Sequence, residues 1–288
     1  MLIYHKVRMN CIVCLCVYNN EFGLPFVLNN ISKINDVFSN IQILVFYDHS
    51  NDKSLEFLNN FKETNGNMEI IINTNPKSEL RTQNIANARN GLLEKIREKY
   101  SDVPYFIMID SNEYSCIGNI NTNVLQKVLD RSDEWDSVSF DREAGYYDTW
   151  ALSFGPFIYS FFHFTNWRSV VELMRTNFKN LMDEYNKNKP DEFIPVYSAF
   201  NGFAIYKTSK FLDCSYSSTI NLELFPEDIL LQQIKNVNSN IINNLTNDCE
   251  HRHFHLEAIQ KNNAKIGVST KYMFFKHDNP SPKLRGPA

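Results

Sequence analysis

Two oxygen-bearing side chains, Asp110 and Asn112, stand one residue apart directly after an apolar run at residues 105–109. Five apolar residues in a row are typical of a strand buried on both faces, as in a parallel sheet. Ligands of open α/β sheets bind at the carboxyl ends of the strands. Carboxylate and amide oxygens suit a hard divalent cation that also holds substrate phosphates. The pattern therefore predicts a cation and phosphate site here, with an ordinary polar turn as the alternative.

The elements that would position this pair alternate between strands and helices. Apolar runs predict strands at 10–17, 41–47, 68–72 and 105–109, and helical spacing of apolar residues predicts helices at 22–34, 54–64 and 81–100. This order is typical of a parallel sheet with crossover helices. The pattern then becomes irregular, with helices predicted at 120–129, 169–187 and 226–234, strands at 137–140, 198–206 and 266–275, and an aromatic segment at 146–164.

Composition excludes some classes of function. The chain has 288 residues with 43% hydrophobic and 22% charged residues, which is an ordinary globular balance. The net charge is -4 and no dense Lys/Arg run is present, so nucleic acid is not an expected partner. Neither a signal peptide nor an apolar run of membrane-spanning length is visible, so we expect a cytoplasmic protein without a membrane anchor. The oligomeric state stays open.

Three of the six cysteines lie in the first predicted strand. Alternation along this strand places Cys14 and Cys16 on one face and Cys11 on the other. Buried free thiols are favoured over a zinc site because no second Cys/His pair has the usual spacing.

Five short blocks follow one another on the predicted elements, and each of them carries polar residues. The blocks are Tyr18-Asn19-x-Glu21, Asp48-x-Ser50-x-Asp52, Arg81 with Ala88-Arg89-Asn90, Asp110-Ser111-Asn112, and Gly202 with Glu227-Asp228. In this order they resemble the GT-A glycosyltransferases, in particular the family 2-like members, over roughly residues 12 to 255. Segments 81–90, 146–152 and 249–255 further resemble glycosyltransferases of giant viruses and fungal capsule-associated glycosyltransferases. An Asn-, Ile- and Lys-rich composition would suit a viral protein acting in the host cytoplasm.

The resemblance implies an α/β GT-A fold, with a mainly parallel sheet, helices on both faces and an acceptor-side elaboration in the C-terminal half. Residues 1–115 would form the nucleotide-sugar half, and residues 116–275 the acceptor-binding and catalytic half of the same domain. The Pro-rich tail, 276–288, is predicted to be flexible.

The implied activity is transfer of a sugar from a UDP- or GDP-sugar to a hydroxyl of a glycan or protein, with Mn²⁺ or Mg²⁺ as cofactor. Asp110 and Asn112 would hold the cation. Asn112 departs from the second aspartate of the family motif, so weaker metal binding, replacement by Glu113, and a metal-independent enzyme all stay open. His251, His253 and His255 would share one side if they lay on a strand, and His253 or His255 is predicted to complete the metal site.

Donor-side roles follow from the same resemblance. Asp48 is expected to bind the base, with a helix N-cap as the alternative, and Tyr18 is expected to stack on the base. Arg81 and Arg89 are eight positions apart, so they share a helix face and suit phosphate contact, with a solvated charged face as the alternative. The full predicted donor-binding set is Tyr18, Asn19, Glu21, Asp48, Arg81, Arg89, Asp110 and Ser111.

Asp228 is the first candidate for the general base, which is needed because a neutral sugar hydroxyl is a poor nucleophile. A favourable first turn of a helix is the alternative reading of Pro226-Glu227-Asp228. Asp148 is the second candidate for base or acceptor binding. Trp150, Asn201, Gly202 and Glu227 are predicted on the acceptor side. Stacking platforms for acceptor sugars and simple core packing both stay open for Trp150, Phe161, Phe162, Trp167 and Tyr197.

Two other interpretations compete with a glycosyltransferase. A degenerate member would bind a nucleotide sugar without turnover, and Asn112 keeps this interpretation open. A nucleotidyltransferase is less favoured because no Gly-rich loop follows the first strand.

Overall fold

The computed structural model describes residues 10–112, 118–143, 145–242 and 245–275. Its strands are β1 Asn10–Val17, β2 Asn40–Tyr47, β3 Met68–Ile72, β4 Tyr105–Asp110, β5 Asn119–Ile120, β6 Ser137–Asp141, β7 Ile194–Pro195, β8 Phe203–Lys207, β9 Ile266–Tyr272 and β10 Phe274–Phe275. Its α-helices are α1 Leu24–Ile34, α2 Ser54–Asn65, α3 Arg81–Lys99, α4 Thr122–Leu129, α5 Trp167–Asn188, α6 Thr208–Phe211, α7 Glu227–Asn236 and α8 Glu250–Asn262.

One eight-stranded sheet, in the order β3-β2-β1-β4-β8-β6-β9-β7, runs through both parts of the chain. The first four strands pair in parallel, so their carboxyl ends share one edge. β8 is antiparallel to both β4 and β6, and it joins the two parts through pairs such as Ile109 with Phe203. β5 and β10 form a separate two-stranded sheet. The result is the α/β architecture that the sequence predicts.

Apolar cores cover both faces of this sheet. Cys14 belongs to one core together with Ala86 and Leu92 of α3, whereas Cys11 belongs to the other together with Val27 of α1. Cys16 packs against the same core as Cys14, which confirms the predicted alternation. Five cysteines are free thiols within the described residues, and four of them, Cys11, Cys14, Cys214 and Cys249, are buried.

Three predicted elements differ from the structure. The predicted strand at 198–206 begins only at Phe203, because Asn201 (φ 55°) and Gly202 (φ 84°) form a turn before it. The predicted strand at 266–275 divides, since β9 ends at Tyr272 and β10 pairs with β5.

The third difference concerns the histidines. Residues 251–255 lie in α8, which begins at Glu250, so the strand on which all three histidines would share one side is not formed. On a helix, residues four apart share a face, and the rings of His251 and His255 indeed stack 5.6 Å apart.

Glu113, the boundary between residues 115 and 116, and the tail 276–288 lie outside the described residues. Across the ranges that the structure describes, no helix combines the length and apolarity needed to cross a bilayer.

Candidate active site

A cleft of about 680 Å³ opens at the carboxyl ends of β1, β2 and β4. Helix α3 and the start of α8 supply part of its wall, and the loop after β6 supplies another part. The polar side chains on the wall are Tyr18, Asp48, Lys77, Glu79, Arg81, Asn84, Arg89, Asp110, Ser111, Asn112, Tyr147, Asp148, Trp150, Glu250 and His251. This cleft therefore brings together nine of the predicted site residues: Tyr18, Asp48, Arg81, Arg89, Asp110, Ser111, Asn112, Asp148 and Trp150.

Asn19 and Glu21 hold two loops together instead of contributing to the wall. The backbone N–H of Asn19 donates to Ser50 Oγ at 2.9 Å. The N–H of Lys53 donates to Glu21 Oε2 at 3.0 Å, and the N–H of Glu21 donates to Asp52 Oδ2 at 2.9 Å. The loops after β1 and β2 are therefore fixed relative to one another, which positions Tyr18 and Asp48 beside the cleft.

Tyr18, Asp48 and Lys77 meet at one end of the cleft. Lys77 Nζ lies 3.3 Å from the centre of the Tyr18 ring and 3.6 Å from Asp48 Oδ2. Asp48 Oδ1 also accepts a hydrogen bond from Asn73 Nδ2 at 2.7 Å. An exposed aromatic face beside a carboxylate and an ammonium group can stack on a flat heterocycle and bond to its polar edge.

A buried arginine, Arg89, joins two carboxylates deeper in the cleft. Its guanidinium bonds to Glu250, and its Nη2 lies 3.1 Å from Asp110 Oδ1. Burial alone would lower the pKa of Arg89, but the charges of Glu250 and Asp110 outweigh burial and raise it. Arg89 is thus a buried structural cation within the site. Arg81, which shares the wall, is exposed to the cleft.

The end of β4 is held by short-range contacts. Asn112 Nδ2 lies 3.4 Å from Asp110 Oδ2. Ser111 Oγ donates to the carbonyl of Cys16 at 2.8 Å, and the Ser111 carbonyl accepts from Asn20 Nδ2. A Cβ at Gly23 would come within 2.5 Å of the same carbonyl, so this contact needs glycine. Ser111 therefore anchors the strand end, while Asp110 and Asn112 face the cleft.

Asp148 stands across the cleft in a turn that Asn201 organises. Asn201 Oδ1 accepts from the N–H groups of Tyr147 at 3.1 Å and Asp148 at 3.3 Å, and its Nδ2 donates to the Phe140 carbonyl at 2.8 Å. Burial, and then the negative charge of Asp110, raise the pKa of Asp148 to about 6. A carboxyl group with this pKa is suited to accept a proton near neutral pH.

The structure brings His251 to the cleft and keeps His253 and His255 away from its wall. His251 is buried against Phe200 at a ring distance of 3.9 Å, and its two ring nitrogens have no hydrogen-bond partner among the described residues. Burial, followed by the charge of Arg89, keeps the pKa of His251 well below its usual value, so the ring is neutral.

The other two histidines have structural partners. His255 is buried between Ser198 Oγ at 3.0 Å and Tyr206 Oη at 3.2 Å, and burial lowers its pKa to about 3. His253 lies on another side of α8, 3.9 Å from Glu257. Sequence reasoning therefore missed Glu250 and misjudged the histidines. Helical spacing within residues 250–255 is the signal that would have found His251.

The predicted acceptor-side residues Gly202, Glu227 and Asp228 are also placed elsewhere. Gly202 lies in the turn before β8, where its carbonyl accepts from the N–H of Asp110 at 2.9 Å. Glu227 and Asp228 are exposed in the first turn of α7, where carboxylates complement the helix dipole. Their positions agree with the helix-start alternative.

The residues at the end of β4 suit a cation that shares its ligands with a substrate. Over the described ranges, no three His, Cys, Asp or Glu side chains converge closely enough to hold a metal ion. The cleft wall nevertheless carries five carboxylates, those of Asp48, Glu79, Asp110, Asp148 and Glu250. Two of them, Asp110 and Glu250, pair with the buried guanidinium of Arg89. A Mg²⁺-type site commonly takes one or two protein carboxylates and completes its sphere with phosphates and water.

Comparison with known proteins gives no match to a family model and none to a curated protein. Among solved structures, S. aureus TarS is similar over 93% of this chain and 36% of its own, with 14% identity and a TM-score of 0.50. The chain has the GT-A glycosyltransferase fold. It spans about a third of the TarS chain. Because the identity is only 14%, the similarity supports the fold alone.

Two other structures resemble this GT-A fold more distantly. The mannosyltransferase PcManGT from Pyrobaculum calidifontis, in complex with GDP-Man and Mn²⁺, is 14% identical and matches 73% of this chain and 48% of its own, with a TM-score of 0.45. Glucosyl-3-phosphoglycerate synthase from Mycobacterium tuberculosis, in complex with Mn²⁺, UDP and phosphoglyceric acid, is 11% identical, with coverage of 71% and 57% and a TM-score of 0.38.

Proposed function

We propose that this protein is a glycosyltransferase that moves a sugar from a nucleoside diphosphate donor, a UDP- or GDP-sugar, to a hydroxyl acceptor. One observation carries the proposal: Asp48, Asp110 and Asp148 line a single cleft at the carboxyl ends of the parallel strands. In such sheets this edge is where ligands bind. In this arrangement Asp48 binds the nucleobase, Asp110 binds the cation, and Asp148 takes the proton of the acceptor hydroxyl.

The donor lies along the cleft from Tyr18 towards Asp110. The base stacks on Tyr18 and bonds to Asp48, while Lys77, now packed on the Tyr18 ring, moves aside or bonds to the base edge. The exposed guanidinium of Arg81 approaches the diphosphate, since arginine binds phosphate oxygens in pairs. Arg89 is committed to its two carboxylates, so we assign it to holding Asp110 in place.

A Mn²⁺ or Mg²⁺ ion would be held by Asp110 and Asn112, and His251 is better placed than His253 or His255 to assist. The neutral ring of His251 lies on the cleft wall, and its two nitrogens have no hydrogen-bond partner among the described residues, which supports this assignment. A bound cation supplies Lewis-acid stabilisation of the charge on the departing diphosphate. The amide of Asn112 contributes a ligand oxygen without adding negative charge, so a weaker metal affinity is expected than for two carboxylates.

Asp148 is the proposed general base. The acceptor oxygen forms a bond to the anomeric carbon while the bond from that carbon to the phosphate oxygen breaks. The hydroxyl proton passes to a carboxylate oxygen of Asp148, and the nucleoside diphosphate leaves with the bonding electrons. Asp148 is favoured over Asp228 because it lines the cleft and has a pKa of about 6.

The test is incubation with a panel of UDP- and GDP-sugars in the presence of Mn²⁺ or Mg²⁺, followed by measurement of the released nucleoside diphosphate. At least one donor is expected to be hydrolysed. Asp110→Ala should abolish release with the fold intact, because the cation and diphosphate lose their main carboxylate. Asp102→Ala is the matched control, since Asp102 is exposed in the turn before β4. Full activity of Asp110→Ala would contradict the proposal.

A second candidate is a nucleotide-sugar-binding protein without turnover. The ion pair between Arg89 and Asp110 favours it, because a carboxylate already bonded to arginine is less available to a cation. Donor binding by calorimetry without diphosphate release, for every donor that binds, would support this second function.

A further inference from the structure

Three aromatic side chains continue the cleft wall outwards from Asp148. Trp150 lines the cleft beside Asp148. Its ring centre lies 5.3 Å from that of Phe162, which in turn lies 5.5 Å from that of Trp167. Trp150, Phe162 and Trp167 are called the aromatic strip below.

The aromatic strip is accessible to solvent. Phe162 is 40% exposed although it follows the buried Phe161, whose ring packs 4.3 Å beneath it. Trp150 and Trp167 are partly exposed. Exposed contiguous aromatic surface of this kind commonly marks a binding site.

The aromatic strip is held in place before any ligand binds. Arg252 Nη2 donates to the Trp150 carbonyl at 2.6 Å. The buried Gln233 of α7 accepts from the N–H of Tyr159 at 2.6 Å and donates to the Tyr159 carbonyl at 2.9 Å, just before Phe162. A rigid aromatic surface loses little conformational entropy on binding.

We infer that the acceptor is a glycan whose successive sugar rings lie along the aromatic strip, an inference that rests on the proposed function. Sugar rings offer C–H faces that pack on aromatic rings and hydroxyls that need polar partners. Both are present: Asp148 stands at the inner end, and exposed Thr165, Asn166 and Arg168 flank the outer end. Arg168 also packs 4.7 Å over the Trp167 ring. Continuity with the cleft gives the direction: the reacting sugar meets Asp148, and the preceding sugars extend over Phe162 to Trp167.

The chemistry favours a glycan over a lipid chain. A lipid chain would need a continuous apolar trough, whereas polar side chains interrupt this surface at both ends. An unglycosylated peptide is the alternative acceptor that the experiment below distinguishes.

The experiment uses the full chain with its best nucleotide-sugar donor and three probe series: malto-, chito- and manno-oligosaccharides of increasing length. In one series, acceptor KM should fall as the chain lengthens. Phe162→Ala should raise acceptor KM for the longer members about tenfold, and leave donor hydrolysis and kcat unchanged. Phe57→Ala is the matched control, because Phe57 on α2 has a similar exposure of 36%.

Several outcomes would overturn the inference. These are equal KM values for Phe162→Ala and Phe57→Ala, no dependence on acceptor length, or transfer to a peptide or to lipid vesicles in preference to every glycan. Failure of the proposed function looks different, since no donor would then be hydrolysed. In that case, direct titration with the same oligosaccharides still tests the aromatic strip, and loss of binding only in Phe162→Ala would support it.

Discussion

Arg89 is the residue on which the interior of the cleft depends. It is buried, as is its partner Glu250, and it also pairs with Asp110. Removing one member of a buried ion pair leaves an uncompensated charge, which costs far more than the pair itself contributes. The side chain is therefore needed for stability as well as for the position of Asp110.

We predict that Arg89→Met lowers the free energy of unfolding by about 3 kcal/mol, because Glu250 stays buried without its cation. Adding Glu250→Gln should recover part of this loss. Lys179→Met is the control: it breaks an exposed helix pair with Asp183 and should change stability by less than about 0.5 kcal/mol. Urea denaturation measures all three. Equal losses of unfolding free energy for Arg89→Met and Lys179→Met would contradict the prediction that the buried ion pair is needed for stability.

Asp148 leads to a prediction about pH. Its folded pKa of about 6 lies above the ordinary value of 3.8, so the folded state binds its proton more tightly than the unfolded state does. The stabilising contribution of this protonated carboxyl group is fully present below pH 3.8, the ordinary pKa. It is lost as the pH rises through about 6. Asp148→Asn should thus be more stable than the wild type by up to about 3 kcal/mol near neutral pH, with no difference at low pH, as measured by urea denaturation.

The same substitution should remove turnover, because Asn cannot accept the acceptor proton. Wild-type transfer should rise with pH through about 6 and then level off, and Asp148→Asn should lose that rise while still binding the donor. Transfer rates over a pH series, with donor affinity measured by calorimetry, decide the matter. An unchanged pH profile in Asp148→Asn would remove it as the base.

At the scale of elements, the sequence predicts the first four strands to within one residue at either end. The apolar runs of β1, β2 and β4 indicate strands because most of their residues are buried on both faces, whereas β3 is only partly buried. Since Asp48 and Asp110 directly follow such runs, their place at the cleft could be predicted as well.

The start of α8 could not be predicted in this way. Its first turn buries Glu250, His251 and Arg252, and two of them are held by ion pairs, Glu250 with Arg89 and Arg252 with Asp248. A hydrophobic pattern does not reveal the start of a helix whose buried side chains are polar or charged. The choice of His253 or His255 rests on the resemblance alone, which gives no way to rank the histidines.

The turn that carries Asp148 gives the prediction for this scale. Asn201 has a positive φ and holds the turn through Oδ1, so Asn201→Gly keeps the backbone conformation but removes the side-chain bonds. Its kcat should fall about tenfold or more, because Asp148 is no longer fixed. Asn201→Asp is the matched variant, since it keeps an accepting oxygen and should retain more activity. Donor affinity should be unchanged in both variants. Steady-state kinetics measures kcat, and titration with the donor measures its affinity. A loss of donor affinity would contradict the prediction, because it would mean that Asn201 contacts the donor.

At the scale of the molecule, one sheet carries both the donor and the acceptor side of the cleft. β4 ends in Asp110 and pairs with β8, which follows directly on Asn201 and Gly202. The parallel pairing in the first half could be predicted from sequence, because strands that alternate with helices are typical of a parallel sheet with crossover connections. The antiparallel insertion of β8 between β4 and β6 could not, since it depends on contacts far apart in the chain.

The most direct measurement is a crystal structure of the protein soaked with Mn²⁺ and the nucleoside diphosphate released in the donor assay. We predict density for the base beside Tyr18 and Asp48, and for the cation and diphosphate beside Asp110. Binding of both ligands elsewhere, or of neither at these residues, would contradict the assignment of the cleft as a donor site.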